Sequence, residues 1–94
     1  MTTTTRTYAS NAQYSGKDNY GKPKSEYIER IAAMDHDALF EETKQKIWLS
    51  AYAGNNPRSD YHWHVDVVYD EWTHRGDTDQ YSKAYKAVER QIRG

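Results

Sequence analysis

The segment from Asn56 to Asp77 constrains the fold of this chain more than any other part of the sequence. Asn56 followed by Pro57 is typical of a helix start, because proline lacks an N–H group that the first turn would leave unpaired. Gly76 is typical of a helix end, because glycine readily adopts a left-handed conformation. The segment therefore predicts one helix over about 57–75.

This helix carries large apolar residues on two of its sides. Trp63 and Val67 lie on a side that is otherwise acidic and polar. A tryptophan on the polar side of a helix needs something to cover it, so this side predicts a binding surface. The opposite side is the predicted core face, and at about 100° per residue it holds Tyr61, Val65, Val68 and Trp72.

A β-strand is the alternative structure for residues 60–69 and would make the fold α+β. Apolar and polar residues alternate there, which is the period of a half-buried strand. The threonine-rich segment 2–7 favours pairing with such a strand. We prefer the helix because the helical pattern continues through Trp72 to the terminating glycine. The alternating apolar residues are Tyr61, Trp63, Val65, Val67 and Tyr69.

Three further helices are predicted from periodicity and capping residues. They span about 24–34, about 36–53 with Asp35 as the cap, and about 78–93 with Asp77 as the cap. The predicted inner stripe of the last helix consists of Tyr81, Tyr85, Val88 and Ile92.

The fold is therefore predicted to be all-α, with three to four short helices in a small bundle over residues 23–94. Residues 1–22 form an extended N-terminal arm, flexible or docked on a partner, because they are rich in small polar residues and lack helical periodicity. Tyr8, Tyr14 and Tyr20 recur every six residues along this arm. Tyrosines are rigid and amphipathic, so they suit the role of docking anchors.

Composition predicts a thin hydrophobic core. Leu, Ile, Val and Phe together number 11 in 94 residues, while nine Tyr and three Trp partly compensate. A polar domain of this size is marginally stable alone, so we expect a partner or homo-oligomerisation to complete it. No apolar run approaches the roughly 20 residues of a membrane span, and no secretory signal is visible. The expected location is cytoplasmic, of a cell or of an infected host, with no membrane association.

The sequence offers no recognisable catalytic or metal site, so we expect no enzyme activity, no cofactor and no metal. Cysteine is absent, which excludes disulfides and thiolate chemistry, and no glycine-rich phosphate loop occurs. His64 is expected to be a hydrogen-bonded core residue. His62, Asp66, Asp70 and His74 follow one another at i, i+4, but three such steps span about 18 Å, too far for one ion.

A non-catalytic protein–protein interaction module is the predicted function. Aromatic residues carry a disproportionate share of binding energy at interfaces. Many small chains without catalytic motifs are phage or mobile-element inhibitors that bind a host complex. That this chain is one of them is a hypothesis that rests on this general frequency and on no particular residue. The candidate partner-binding residues are Trp48, Tyr52, Trp63 and Val67 on the helices and Tyr8, Tyr14 and Tyr20 on the arm.

The alternative function is that of a weak nucleic-acid-binding accessory protein that uses the arm. Four basic residues against Asp18 give residues 1–24 a net charge of +3. Cations neutralise phosphates while tyrosines stack on bases, but a charge this small gives weak affinity at physiological salt. The basic residues are Arg6, Lys17, Lys22 and Lys24.

Overall fold

A computed structural model describes residues 6–93 of the chain. Within them lie four α-helices and no β-strand, so the all-α prediction is confirmed and the strand alternative at 60–69 is wrong. The Thr-rich pairing segment of that alternative lies largely outside the described residues. The helices are α1 (Lys24–Ala32), α2 (His36–Tyr52), α3 (Asp60–His74) and α4 (Thr78–Arg93), preceded by two short 3-10 turns at Thr7–Ser10 and Ala12–Tyr14.

Helix α3 begins three residues later than the sequence predicts. The side chain of Ser59 caps it by accepting a hydrogen bond of 3.2 Å from the backbone N–H of Tyr61. Asn56 instead accepts from the backbone N–H of Arg58 at 3.1 Å and so closes a turn that contains Pro57. Asparagine stabilises turns and helix starts by the same local hydrogen bonding, and this ambiguity explains the error.

The end of α3 is as predicted. Gly76 has a φ of +74°. Its N–H donates to the carbonyl of Thr73 at 3.0 Å, and the N–H of Asp77 donates to the carbonyl of Trp72 at 2.9 Å. This pair of bonds satisfies carbonyls that the helix end would otherwise leave free. The short turn then packs α4 against both α3 and α2.

The main core lies between α1, α2 and α3. Ile31, Leu39, Val68 and Trp72 are fully buried, and the Trp72 indole N–H donates to the Thr43 hydroxyl at 2.9 Å. Val67 is also fully buried, so its predicted position outside the core is wrong. The reason is that α1 and the arm cover the side of α3 that carries Trp63 and Val67.

A second, smaller core cluster joins α2 and α4 and contains Ile47, Ala84 and Val88. The predicted inner stripe of α4 is only half right. Val88 is buried and Tyr81 is partly buried, but Tyr85 is 50% exposed and Ile92 is 53% exposed. The described chain supplies no further element to cover this edge of α4. No described helix is both long and apolar enough to cross a membrane.

Replacing Gly76 by valine should lower the free energy of unfolding by about 1 kcal/mol or more, because a β-branched residue resists positive φ. The matched control is Gly76→Asn, since asparagine tolerates the left-handed conformation and should cost less. Urea denaturation of both variants measures the difference. Equal stability of Gly76→Val and the parent protein would contradict the left-handed cap.

Candidate functional site

The N-terminal arm is folded onto α3 of its own chain through the carboxylate of Glu71. This side chain is fully buried, and both of its oxygens accept hydrogen bonds from Arg6 at 3.0 Å in a bidentate pair. The Tyr8 hydroxyl donates to it at 2.6 Å, and Arg75 Nε donates at 2.7 Å. One buried acid therefore binds two cations and a phenol, as a buried charge requires.

Both guanidinium groups also bind the C-terminal end of α1. Arg6 donates to the carbonyl of Ala32 at 3.3 Å, and Arg75 donates to the carbonyl of Met34 at 2.7 Å. Burial alone would raise the pKa of Glu71, but hydrogen bonds from Tyr8, Arg75 and Arg6 hold it below its usual range. Glu71 therefore stays ionised and fixes α1, α3 and the arm to one another.

Two of the three arm tyrosines are occupied within the chain. Tyr14 is 3% exposed, and its hydroxyl donates to Asp70 Oδ2 at 2.5 Å. Tyr8 is bound to Glu71 and packs edge-on against Tyr14, with ring centroids 6.2 Å apart. Only Tyr20 is open, with 86% of its surface exposed. The arm is thus docked on its own helices, and of its tyrosines Tyr20 alone is free for a partner.

Of the four basic residues of the arm, two contact other residues of the chain and two are exposed. The Arg6 side chain is 12% exposed and is committed to Glu71. Lys24 donates to the carbonyl of Gln13 at 2.9 Å and lies 5.1 Å from the Trp63 ring. Lys17 and Lys22 remain exposed. Half of the cations proposed for nucleic-acid binding are therefore engaged in holding the fold.

Trp63 is covered by residues of its own chain. Its indole N–H donates to Asp60 Oδ1 at 2.8 Å, and its ring packs edge-on against Tyr27 of α1 with centroids 5.6 Å apart. The sequence correctly indicates that this side of α3 needs a covering surface. The covering surface is α1 and the arm, so Trp63 and the buried Val67 do not form an open binding face.

Three of the four histidine and aspartate residues spaced at i, i+4 on α3 have separate polar partners, and the fourth, Asp66, is exposed. His62 is within hydrogen-bonding distance of the Ser50 hydroxyl at 2.9 Å and of the Asn56 carbonyl at 2.9 Å. His74 is 2.8 Å from Arg6, and Asp70 accepts from Tyr14. Residues 6–93 contain no group of three or more such side chains placed to hold a metal ion.

His64 is stacked on Tyr27 with ring centroids 4.1 Å apart. Its Nδ1 atom is buried and has no hydrogen-bond partner among the described residues, unlike the bonded core histidine that the sequence predicts. Burial, followed by the positive charge of Lys46, lowers the pKa of His64 to about 4. The imidazole is therefore neutral at pH 7.

An open apolar surface lies where the C-terminal halves of α2 and α4 meet. We call it the α2–α4 face and define it by Trp48, Tyr52, Tyr85 and Ile92. Tyr52 is 74% exposed, the highest value on the face, and its ring packs edge-on against Trp48 at 4.8 Å. Trp48 and Tyr52 were predicted as binding residues. Tyr85 and Ile92 were not, because periodicity assigned them to the core.

Two adjoining hollows give this face its shape. One has a volume of about 240 Å³ and is lined mainly by α4, with Ile47 of α2 and Val65 of α3. The other has a volume of about 280 Å³ and lies beside Trp48 and Tyr52. Ala51 and Ile92 border both hollows, so the two form one continuous concave surface.

The α2 side of this face is free of charge. The 11 residues of segment 47–57 include no Asp, Glu, Lys, Arg or His. The centres of protein interfaces are depleted of charge and enriched in aromatic residues. Because Trp48, Ala51 and Tyr52 belong to this segment, the α2–α4 face has the composition of an interface centre rather than of an ordinary solvated surface.

Comparison with known proteins identifies no relative: no protein-family model, no characterised protein sequence and no solved structure matches this chain.

Replacing Glu71 by glutamine should lower the free energy of unfolding by about 3–5 kcal/mol, because it leaves two guanidinium groups without their counter-charge in a buried site. Glu41→Gln is the matched control: Glu41 pairs with Lys44 at 3.2 Å on an exposed surface, and its loss should cost about 0.5 kcal/mol or less. Chemical denaturation measures the free energy of unfolding of both variants. Similar losses in the two variants would show that Glu71 does not organise the arm.

Acid should destabilise the protein partly through His64. Its folded-state pKa of about 4 lies below the ordinary value of 6.5, so protons favour the unfolded chain. The stability that the neutral His64 imidazole contributes is fully present above about pH 6.5 and is lost as the pH falls towards 4. The melting temperature of the parent protein should therefore fall more steeply over this range than that of His64→Gln. If the melting temperatures of the two proteins fall in parallel with pH, the conclusion that His64 is buried and neutral is wrong.

Proposed function

We propose that the protein is a non-catalytic protein–protein interaction module that binds its partner through the α2–α4 face. The observation that carries this proposal is the clustering of exposed aromatic and aliphatic side chains around a concave surface. Tyr52, Tyr85 and Ile92 are each at least 50% exposed, and Trp48 packs beside them. Contiguous apolar patches on soluble domains mark binding sites, and aromatic anchors supply most of the affinity.

The state of the arm supports the choice of this face. Tyr8 and Tyr14 are the arm residues best suited to anchor a partner, and both already donate to carboxylates of α3. A partner that used them would first have to break these bonds and expose the buried Glu71. Binding at the α2–α4 face requires no such rearrangement, because its side chains are already presented.

Through this face the protein would bind a host complex in the cytoplasm and inhibit it stoichiometrically, as some phage and mobile-element proteins do. Such a role needs no catalytic group, only a preformed surface on a small stable domain.

Replacing Ile92 by glutamate should weaken partner binding by about 2 kcal/mol or more, because it places a charge at the centre of the apolar face. The fold should survive, since Ile92 is 53% exposed. The measurement is quantitative capture from a lysate of the source cell or its host, with circular dichroism to check folding. We expect the parent chain to capture one partner protein reproducibly. We expect Ile92→Glu to capture much less of that protein or none.

The matched control for this experiment is Tyr20→Glu, which places the same charge on an exposed aromatic residue of the arm. Capture by this variant should equal capture by the parent protein. If Tyr20→Glu loses the partner while Ile92→Glu retains it, the arm and not the α2–α4 face is the binding surface.

A further inference from the structure

The α2–α4 face lies over the smaller of the two core clusters. That cluster has three buried residues, Ile47, Ala84 and Val88. Over α3, by contrast, α1 and the arm add a further layer to the main core. No described element does the same for α2 and α4, and Tyr85 and Ile92 of α4 stay about half exposed. This part of a small domain therefore gains most from an apolar surface supplied from outside the chain.

The hollow beside Trp48 and Tyr52 is uncharged. It is lined by Trp48, Ala51, Tyr52, Gln91 and Ile92, so neither an acid nor a base borders it. A charged surface needs a partner of opposite charge, whereas an uncharged apolar surface meets an identical copy of itself without like-charge repulsion. This hollow therefore presents no electrostatic barrier to a second copy of the chain.

The charged residues next to this hollow form ion pairs within single helices. Glu41 and Lys44 of α2, which line a further hollow beside Trp48, are 3.2 Å apart. Glu89, which lines the neighbouring hollow on α4, lies 3.7 Å from Arg93 of the same helix. Each pair has a net charge of zero, so two copies that meet at this face bring acids and bases together in equal number.

The exposed cations Lys86 and Arg90 of α4 lie away from the face. At about 100° per residue, both fall at least about 100° around the helix from the stripe that contains Tyr85 and Ile92. Neither cation lines a hollow of the face. The whole chain has a net charge of −1, and proteins with a net charge near zero have little long-range repulsion between their copies.

The face also offers both a projection and a hollow. Tyr52 is 74% exposed and borders the hollow of about 280 Å³. In a twofold-symmetric dimer the same patch meets itself, so each copy can place its projecting side chain against the hollow of the other. Because Tyr52 borders the hollow of its own copy, such a contact brings the two Tyr52 side chains close to the twofold axis.

We propose that the α2–α4 face binds a second copy of the chain in a twofold-symmetric dimer, with Tyr52 of each copy in the hollow beside Trp48 of the other. This inference rests on the proposed function, because it assigns an occupant to the same face before the host partner binds. The anchors of one copy are few, so the dimer is weak and exchanges readily. The host partner then replaces the second copy.

The test is sedimentation of the purified full chain at concentrations up to about 1 mM, which detects a dimer with a dissociation constant of that order. The parent protein should pass from one chain to two as the concentration rises. Tyr52→Lys and Tyr52→Glu should each raise the dissociation constant roughly tenfold or more, because each places two like charges near the twofold axis. Circular dichroism checks that both variants fold.

Mixing the two variants tests the symmetry of the contact. An equimolar mixture of Tyr52→Lys and Tyr52→Glu should recover the dimer, because opposite charges meet in the mixed pair. The matched control is Tyr20→Lys, which makes the same change at an arm tyrosine that is 86% exposed and should dimerise like the parent protein. A parent chain that stays monomeric, a dimer unaffected by the Tyr52 variants, or a mixture that fails to recover it would each overturn the inference.

The inference and the proposed function fail in different ways. If the parent chain is monomeric while Ile92→Glu still abolishes capture from the lysate, the dimer is wrong and the proposed function stands. If the dimer depends on Tyr52 as expected while Ile92→Glu captures the host partner as well as the parent chain does, the proposed function is wrong and the dimer stands.

Discussion

The buried carboxylate of Glu71 is the interaction on which the rest of the structure depends. Arg6 from the arm and Arg75 from the end of α3 converge on it, and each guanidinium also donates to a backbone carbonyl at or just after the end of α1. Without the acid between them, these two cations would repel each other in a buried site. A chain with only 11 Leu, Ile, Val and Phe residues has little apolar surface with which to fix a short helix and an arm. A saturated polar network supplies that order instead.

This arrangement determines which surfaces stay open. Because Tyr8 and Tyr14 seal the arm against α3, the second apolar side of that helix is closed to partners. No described element plays the same part for the edge formed by α2 and α4. The apolar side chains at this edge are already exposed, so a partner that binds there requires the least reorganisation of the fold. The proposed function follows from this asymmetry.

Features set by neighbouring residues could be predicted from the sequence. The Asp35 cap, the Gly76 stop and the span of α4 depend on hydrogen bonds within a few residues. The covering of Trp63 and Val67 could not be predicted, because it depends on contacts between residues far apart, such as Arg6 and Glu71, which are 65 positions apart. Periodicity showed that α4 is amphipathic but not how much of its apolar stripe other helices would cover. For that reason Trp48 and Tyr52 were predicted as binding residues, whereas Tyr85 and Ile92 of the same face were not.

The most direct test of this account is site-specific photo-crosslinking in the native cell. Benzoylphenylalanine is introduced in place of Tyr52 on the α2–α4 face or in place of Tyr20 on the arm, two aromatic positions that are both largely exposed. We expect a discrete protein adduct from position 52 and none from position 20, because only the former lies on the open face. An adduct from position 20 alone would contradict the account, since it would show that the partner binds the arm.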